Sequence, residues 1–176
     1  MEKIKDHKAE CLRIFKNELT PLNLSTDYIR PAVKSLEKES IKRIINKDIT
    51  TLFVQLIQSQ QAELSSALYA VVNLLFFKYT RQHDIIIGTS GLPLRIIFNP
   101  DDNFNDLLRI IALQNKITSR LQSVSAAELL TALQLPLDDS RNQLYDCKVL
   151  IGEPYKKDKC DLNFVFNPID ESLEVE

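Results

Sequence analysis

With 176 residues and a net charge of −2, the chain fits one domain or one lobe of a larger one, and gives no electrostatic case for nucleic acid or an anionic membrane as partner. No apolar run reaches the ~18 residues needed to span a bilayer; the longest, residues 67–77, is interrupted by Asn73. The N-terminal segment MEKIKDHKAE is charged and lacks the apolar core of a secretory signal, and Cys11, Cys147 and Cys160 are odd in number and widely spaced. Reduced thiols in a cytoplasmic protein are therefore expected.

Residues 2–18 read as a surface helix, with Ile4, Leu12, Phe15 and Leu19 as a loose apolar stripe. Thr20-Pro21 ends it, and residues 20–31 hold two prolines and no period, which predicts an extended connector. Residues 41–46 alternate weakly and predict a strand. Asp48 is the expected N-cap of a helix near 49–60, with Leu52, Phe53, Leu56 and Ile57 facing inward. The central helix is expected over 64–80. Leu64, Leu68, Val71, Val72, Leu75 and Phe76 form a wide apolar face that Tyr69 and Phe77 widen further. Two short β-branched runs, 85–89 and 93–98, read as strands joined by a tight turn over Gly88–Gly91.

Beyond them, Phe104, Leu107, Leu108, Ile111, Leu113 and Ile117 predict a helix over 104–121. Ser125, with Glu128 three residues on, predicts a capping box for a short helix that Leu135-Pro136 stops. Strands are expected at 146–151 and 162–167, followed by a frayed acidic tail. Strands and helices in this order predict a single α/β domain, a two-layer sandwich with a mixed sheet against helices.

The residues with chemical potential all have a structural reading. His83 follows a helix C-terminus, where the dipole favours positive charge, and His7 lies in a charged, solvated helix. Cys147 and Cys160 lie in or beside strands, where cysteine is usually a small buried apolar residue. Gly88-Thr89-Ser90-Gly91 lacks both the dinucleotide fingerprint and the phosphate-loop lysine. Ser140 and Arg141 sit in turn chemistry with Asp138. No His, Cys or carboxylate pair has metal-ligand spacing. Catalytic, cofactor-binding and metal-binding residues are therefore none by this reading.

Several motifs, in the same order along the chain, carry a resemblance. Tyr79-Thr80-x-Gln82-x-Asp84-Ile85-x-x-Gly88-Thr89 is similar to the Y-T-G-Q-x-D-I-x-x-G-T segment of condensation domains of nonribosomal peptide synthetases, and Leu92-Pro93-Leu94-Arg95 to the L-P-L-R that follows it. Leu22, Leu24, Thr26, Asp27, Arg30 and Pro31 resemble the family's L-x-L-P-T-D-x-x-R-P, with Ser25 in place of a proline. Asp138-Asp139-Ser140-Arg141-Asn142-Gln143-Leu144 resembles R-D-x-S-R-N-P-L, with Gln143 in place of the proline, and Lys159-x-Asp161-Leu162 resembles K-F-D-L.

The resemblance implies the C-terminal lobe of a condensation domain, truncated, with a chloramphenicol acetyltransferase-like fold. In that family two lobes enclose a tunnel, and two carrier proteins deliver phosphopantetheine-linked substrates for amide-bond formation. Tyr79, Thr80, Gln82, Asp84, Gly88, Arg95, Ser140, Arg141, Asn142 and Asp161 are the matching motif positions, expected to be structural. The family's catalytic His-His-x-x-x-Asp-Gly belongs to the other lobe, and no adjacent histidines occur here. Between Gly88-Thr89 and Leu92-Pro93 the family usually has a longer segment including G-x-F-V-N-T, and its H-Q-D-x-P-F-E is not recognisable near residues 122–128. Three functions follow as expectations: a truncated protein that has lost amide-bond synthesis, a split lobe active only with a complementary chain, or a non-catalytic docking module for carrier proteins or synthetase modules. No cofactor of its own is expected.

Overall fold

The computed structural model describes residues 2–16, 18–35, 37–121, 123–155, 158–170 and 172–176, with side chains from Asp6 onward. In chain order the elements are α1 (Glu2–Ile14), β1 (Arg43–Ile45), α2 (Lys47–Ser59), α3 (Leu64–Thr80), β2 (Asp84–Ile87), β3 (Leu94–Ile97), α4 (Phe104–Arg120), α5 (Ala126–Leu133), β4 (Cys147–Ile151), β5 (Leu162–Ile169) and β6 (Ser172–Val175).

The strands form a four-stranded sheet, β1-β6-β5-β4, and an antiparallel hairpin, β2-β3. Gly88 sews the two together. Its amide donates to the Cys147 carbonyl (2.8 Å) and its carbonyl accepts from the Val149 amide (2.9 Å), a parallel bridge to β4. Since β4 and β5 run parallel and the other pairs antiparallel, the sheet is mixed. Helices α2, α3 and α4 share one core with this sheet. Helix α1 and α5 pack against each other and form a second core that includes Ile86. The run Ile85-Ile86-Ile87 is thus buried on both faces, with Ile85 and Ile87 in the first core and Ile86 in the second. That explains why β2 is continuously apolar and not alternating. The arrangement is the expected α/β sandwich with a mixed sheet.

Local signals act as the residues dictate in several places. Ser125 and Glu128 form a reciprocal capping box on α5, with Ser125 N to Glu128 Oε2 at 2.8 Å. Asn103 Oδ1 caps α4 through the amides of Asn105 (2.9 Å) and Asp106 (3.1 Å). Helix α3 ends on Arg81 in the left-handed region, at φ 60°, where the family motif has glycine. An L-residue there is disfavoured by about 1–2 kcal/mol. Arg81→Gly is therefore expected to raise stability by about 1 kcal/mol, read as a higher urea midpoint; an unchanged or lower midpoint would refute the strain.

Other expectations are corrected. The frayed tail is β6: it pairs with both β1 and β5, and Leu173 is buried. Ser172-Leu173-Glu174-Val175 alternates, and the vacant edge of β5 makes that period count for more than the acidic composition. Helix α1 stops at Ile14, four residues early, and Ile4 lies outside the described side chains. The cap of α2 is Asn46, whose side chain accepts from the Ile49 amide (3.0 Å), so Asp48 is already in the first turn. Leu52 and Leu56 are exposed, as are Val71 and Leu75 of α3. Helix α2 packs mainly on β6 and α3, a cover that buries Ile57 and leaves Leu52 and Leu56 outside. Leu113 is exposed because it lies two residues, about 200°, round α4 from buried Ile111.

Candidate functional site

The motif positions are brought together mainly as anchors for the irregular segments. On the hairpin, buried Arg95 donates through Nε to Asp84 Oδ1 (2.9 Å) and through Nη2 to Asp84 Oδ2 (2.6 Å). The same guanidinium reaches the carbonyls of Ile14 and Glu18, both at 3.2 Å, so it ties the end of α1 to the sheet. Thr80 Oγ1 donates to the Phe76 carbonyl (2.8 Å) and accepts from the Gln82 amide (3.1 Å), which turns the chain out of α3. The Gln82 carboxamide then clamps the connector: Nε2 donates to the Pro21 carbonyl (2.9 Å) and Oε1 accepts from the Asn23 amide (2.7 Å). Tyr79 is exposed, without a hydrogen bond among the described residues.

A second group lies on the turn before β4. Asn142 Oδ1 accepts from the amides of Leu144 (2.9 Å) and Tyr145 (3.3 Å) and shapes that turn. Arg141 grips Asp146 with Nε at 2.9 Å and with Nη2, and Asp146 is only 2% exposed. Asp146 Oδ2 also accepts from the Leu22 amide (3.2 Å). The Ser140 carbonyl accepts from Arg30 (3.1 Å), and Asp161 accepts from both Arg30 and Lys34. Sequence reading missed Asp146 and Lys34; for the lysine a signal existed in the spacing Arg30, Lys34, Lys38, Lys42.

Two clefts border these anchors. One, of about 220 Å³, lies between Leu19–Pro21, Leu135-Pro136 and the 138–146 turn, where Arg141 and Asn142 are already bonded inward. The other, of about 260 Å³, opens at the β2–β3 turn beside the start of α3. Its polar walls are Ser65, Tyr69, Thr89, Ser90, Asn115, Thr118 and Ser119, with exposed Glu63 alongside. Burial, with the charge of Glu153, pushes the Tyr69 phenol up to about 12, so it stays protonated and can donate. Thr89 Oγ1 is engaged with the Leu92 carbonyl (2.8 Å) and the Gly91 amide (3.1 Å). This cleft offers hydroxyl, phenol and amide groups suited to a neutral polar chain; it contains neither histidine nor cysteine as a proton acceptor.

His83 is exposed, and its ring has no hydrogen bond among the described residues, whereas His7 Nδ1 lies 2.8 Å from Ser123 Oγ. All three cysteines are free and buried. Burial holds the Cys147 thiol well above its ordinary value; burial and the neighbouring Asp158 push that of Cys160 up to about 12. Such thiols are poor nucleophiles. Among the described residues no group of three or more His, Cys, Asp or Glu is placed to hold a metal, and no helix is long and apolar enough to cross a membrane.

Comparison with known proteins places this architecture. The family model described as Condensation domain matches residues 2–92. Tyrocidine synthase 3 of Brevibacillus parabrevis is 31% identical over 174 residues, 89% of this chain and 3% of that protein. Surfactin synthase subunit 2 of Bacillus subtilis (strain 168) is 27% identical over 185 residues, 95% of this chain and 5% of that protein. The X-domain in a complex of the X-domain and OxyB from teicoplanin biosynthesis superimposes with a TM-score of 0.89 at 16% identity, over 98% of this chain and 46% of that one. The chain belongs to the condensation-domain family of nonribosomal peptide synthesis. It spans less than half of that solved structure and a small part of each synthetase.

Proposed function

We propose that this chain is the C-terminal lobe of a condensation domain, acting in the cytoplasm, and that alone it does not form amide bonds. The observation that carries the reading is how the motif residues are used. Thr80, Gln82, Asp84, Arg95, Ser140, Arg141, Asn142 and Asp161 all make hydrogen bonds or ion pairs within the chain, and no positioned histidine faces either cleft. Coverage of about half of the superimposed X-domain supports a one-lobe reading.

Losing a positioned acid–base or oxyanion group typically costs about 10²–10⁴ in rate. Losing the facing wall of a tunnel also removes alignment, and proximity is worth up to about 7–11 kcal/mol. Two carrier proteins loaded with aminoacyl groups, incubated with this protein and assayed by mass spectrometry, are expected to give no dipeptidyl thioester above the no-protein control. Product that His83→Ala abolishes would overturn the reading and make His83 the catalyst. Product that instead depends on an added His-His-x-x-x-Asp-Gly chain would identify a split lobe.

A second reading, docking without chemistry, is favoured by the X-domain neighbour, which has this fold and is seen in complex with OxyB. In this reading the ligands are carrier proteins or synthetase modules, with phosphopantetheine on the carrier and no cofactor bound by the chain itself. Retention of a loaded carrier protein on immobilised protein, without product, would select it.

A further inference from the structure

Helices α3 and α4 lie side by side and antiparallel. Asn115 Nδ2, late in α4, donates to the hydroxyls of Ser65 (3.4 Å) and Ser66 (3.3 Å) at the start of α3. At the other end the Phe77 and Phe98 rings meet edge to face, their centres 5.3 Å apart. Leu68, Val72 and Phe76 of α3, and Leu107, Leu108 and Ile111 of α4, turn into the core shared with the sheet. The outer side of the pair consists of two exposed rows. On α3 the row is Val71, Leu75 and Lys78, with Tyr79 beside it; on α4 it is Arg109, Leu113, Lys116 and Arg120. Steps of three and four residues keep each row on one side of its helix. Asn115 is level with Ser66, and the rise is about 1.5 Å per residue. Leu113 therefore comes within about one turn of Val71, and Arg109 within about one turn of Leu75.

The rows combine apolar side chains with cations. Tyr79 is 78% exposed, Leu113 62%, Val71 39% and Leu75 37%, so a continuous apolar strip faces out. In the two helices Lys78, Arg109, Lys116 and Arg120 stand against one acid, Asp106, which pairs with Arg109. Among the described residues Lys78, Lys116 and Arg120 are in no ion pair, whereas Lys34, Lys38, Lys42, Arg95 and Arg141 all are. The helix pair thus carries +3 in a chain whose net charge is −2. An apolar strip with an aromatic ring, bordered by unpaired charge of one sign, calls for a partner of the opposite sign. A second copy of this chain cannot cover the face symmetrically, because cation would then meet cation.

We propose that the outer face of α3 and α4 docks an acidic amphipathic helix of a partner protein. The partner's apolar side chains, spaced i, i+4 and i+7, lie along the strip of Val71, Leu75, Tyr79 and Leu113. Its carboxylates meet Lys78, Lys116 and Arg120. Packed helices are about 8–10 Å apart, which leaves a groove between the two rows that a third helix fits. The proposal deepens the docking reading, resting on it for the existence of a protein partner and naming the face and the chemistry of that partner.

The test uses the intact chain and a defined probe, a fluorescein-labelled peptide of about 20 residues, long enough to hold a helix. It carries leucine at i, i+4 and i+7 and glutamate on the flanks; the controls are a lysine-for-glutamate version and a scrambled one. Fluorescence anisotropy is expected to show saturable binding of the acidic helix, at least about tenfold tighter than either control. Binding should weaken as screening shortens from about 10 Å at 0.1 M salt to about 3 Å at 1 M. The double variant Lys78→Glu, Lys116→Glu is expected to lose about tenfold in affinity. Both side chains are exposed, so its urea midpoint should match the parent's. The comparison of acidic and control peptides on the unaltered chain decides the matter whether or not the variant folds. No saturable binding, equal binding of acidic and scrambled peptides, or binding untouched by the double variant overturns the proposal. So does binding to phosphatidylserine vesicles in place of the peptide, which would make the face a membrane surface. A loaded carrier protein retained equally by parent and double variant would keep the docking reading and remove this face. A carrier retained by neither, with the acidic peptide still bound by the parent, would count against carriers as the partner and for the face.

Discussion

Arg141→Met is expected to destabilise the protein by about 3–5 kcal/mol, the usual cost of stripping the partner from a buried charge. Asp146 is almost wholly inaccessible, and two of its contacts come from the Arg141 guanidinium. Without that fork the carboxylate keeps the Leu22 amide at 3.2 Å, too little to replace a cation. The loss spreads, because Asp146 also receives the amides of Asp161 (2.7 Å) and Leu162 (3.1 Å) on its carbonyl and so starts the β4–β5 pairing. Urea unfolding would show a large drop in midpoint. The double variant Arg141→Met, Asp146→Leu should recover much of it, since replacing both members of a buried pair by apolar groups is often neutral or better. A single-variant midpoint within the range of a surface substitution would mean that Asp146 is solvated and that the turn is held by other bonds.

Gly88→Ala is the second large effect. A Cβ at this position would lie 2.3 Å from Cε2 of Tyr145, 2.7 Å from Cζ and 2.8 Å from Cδ2, so the ring or the strand must move. Neither moves freely. The ring packs against the second core, and both the amide and the carbonyl of Gly88 are bonded to β4. Overpacking of this kind typically costs about 1–3 kcal/mol. It also falls on the one bridge that joins hairpin and sheet among the described residues, so amide exchange at Val149 should accelerate more than at Ile57, which lies away from the bridge. Combining Gly88→Ala with Tyr145→Leu should restore stability if the clash is the cause. If the single variant is as stable as the parent, the ring has room that the geometry denies.

The glycine is where the family motif was legible and its physical reason was not. Tyr79 to Thr89 reads directly as a motif, yet nothing in those residues says that Tyr145, far along the chain, presses on Gly88. Arg95 is similar: a motif position whose guanidinium reaches Ile14 and Glu18, 81 and 77 residues away.

The amino-acid sequence by itself determined what depends on neighbours a few residues apart. The capping box of Ser125 and Glu128, the stripe Leu107-Leu108-Ile111, the isoleucine run of β2 and the family's ordered motifs are all of this kind. Only the tertiary structure decided the rest. It made the acidic tail a strand, because β5 had an edge to fill. It left Leu52 and Val71 outside, because coverage depends on what packs there and not on period. It also engaged Arg30 with Asp161 across 131 residues and Leu22 with Asp146 across 124. Periodicity encodes which face of an element is apolar, but a hydrogen bond or ion pair needs both partners in place, and chain folding alone brings partners so distant within hydrogen-bonding reach.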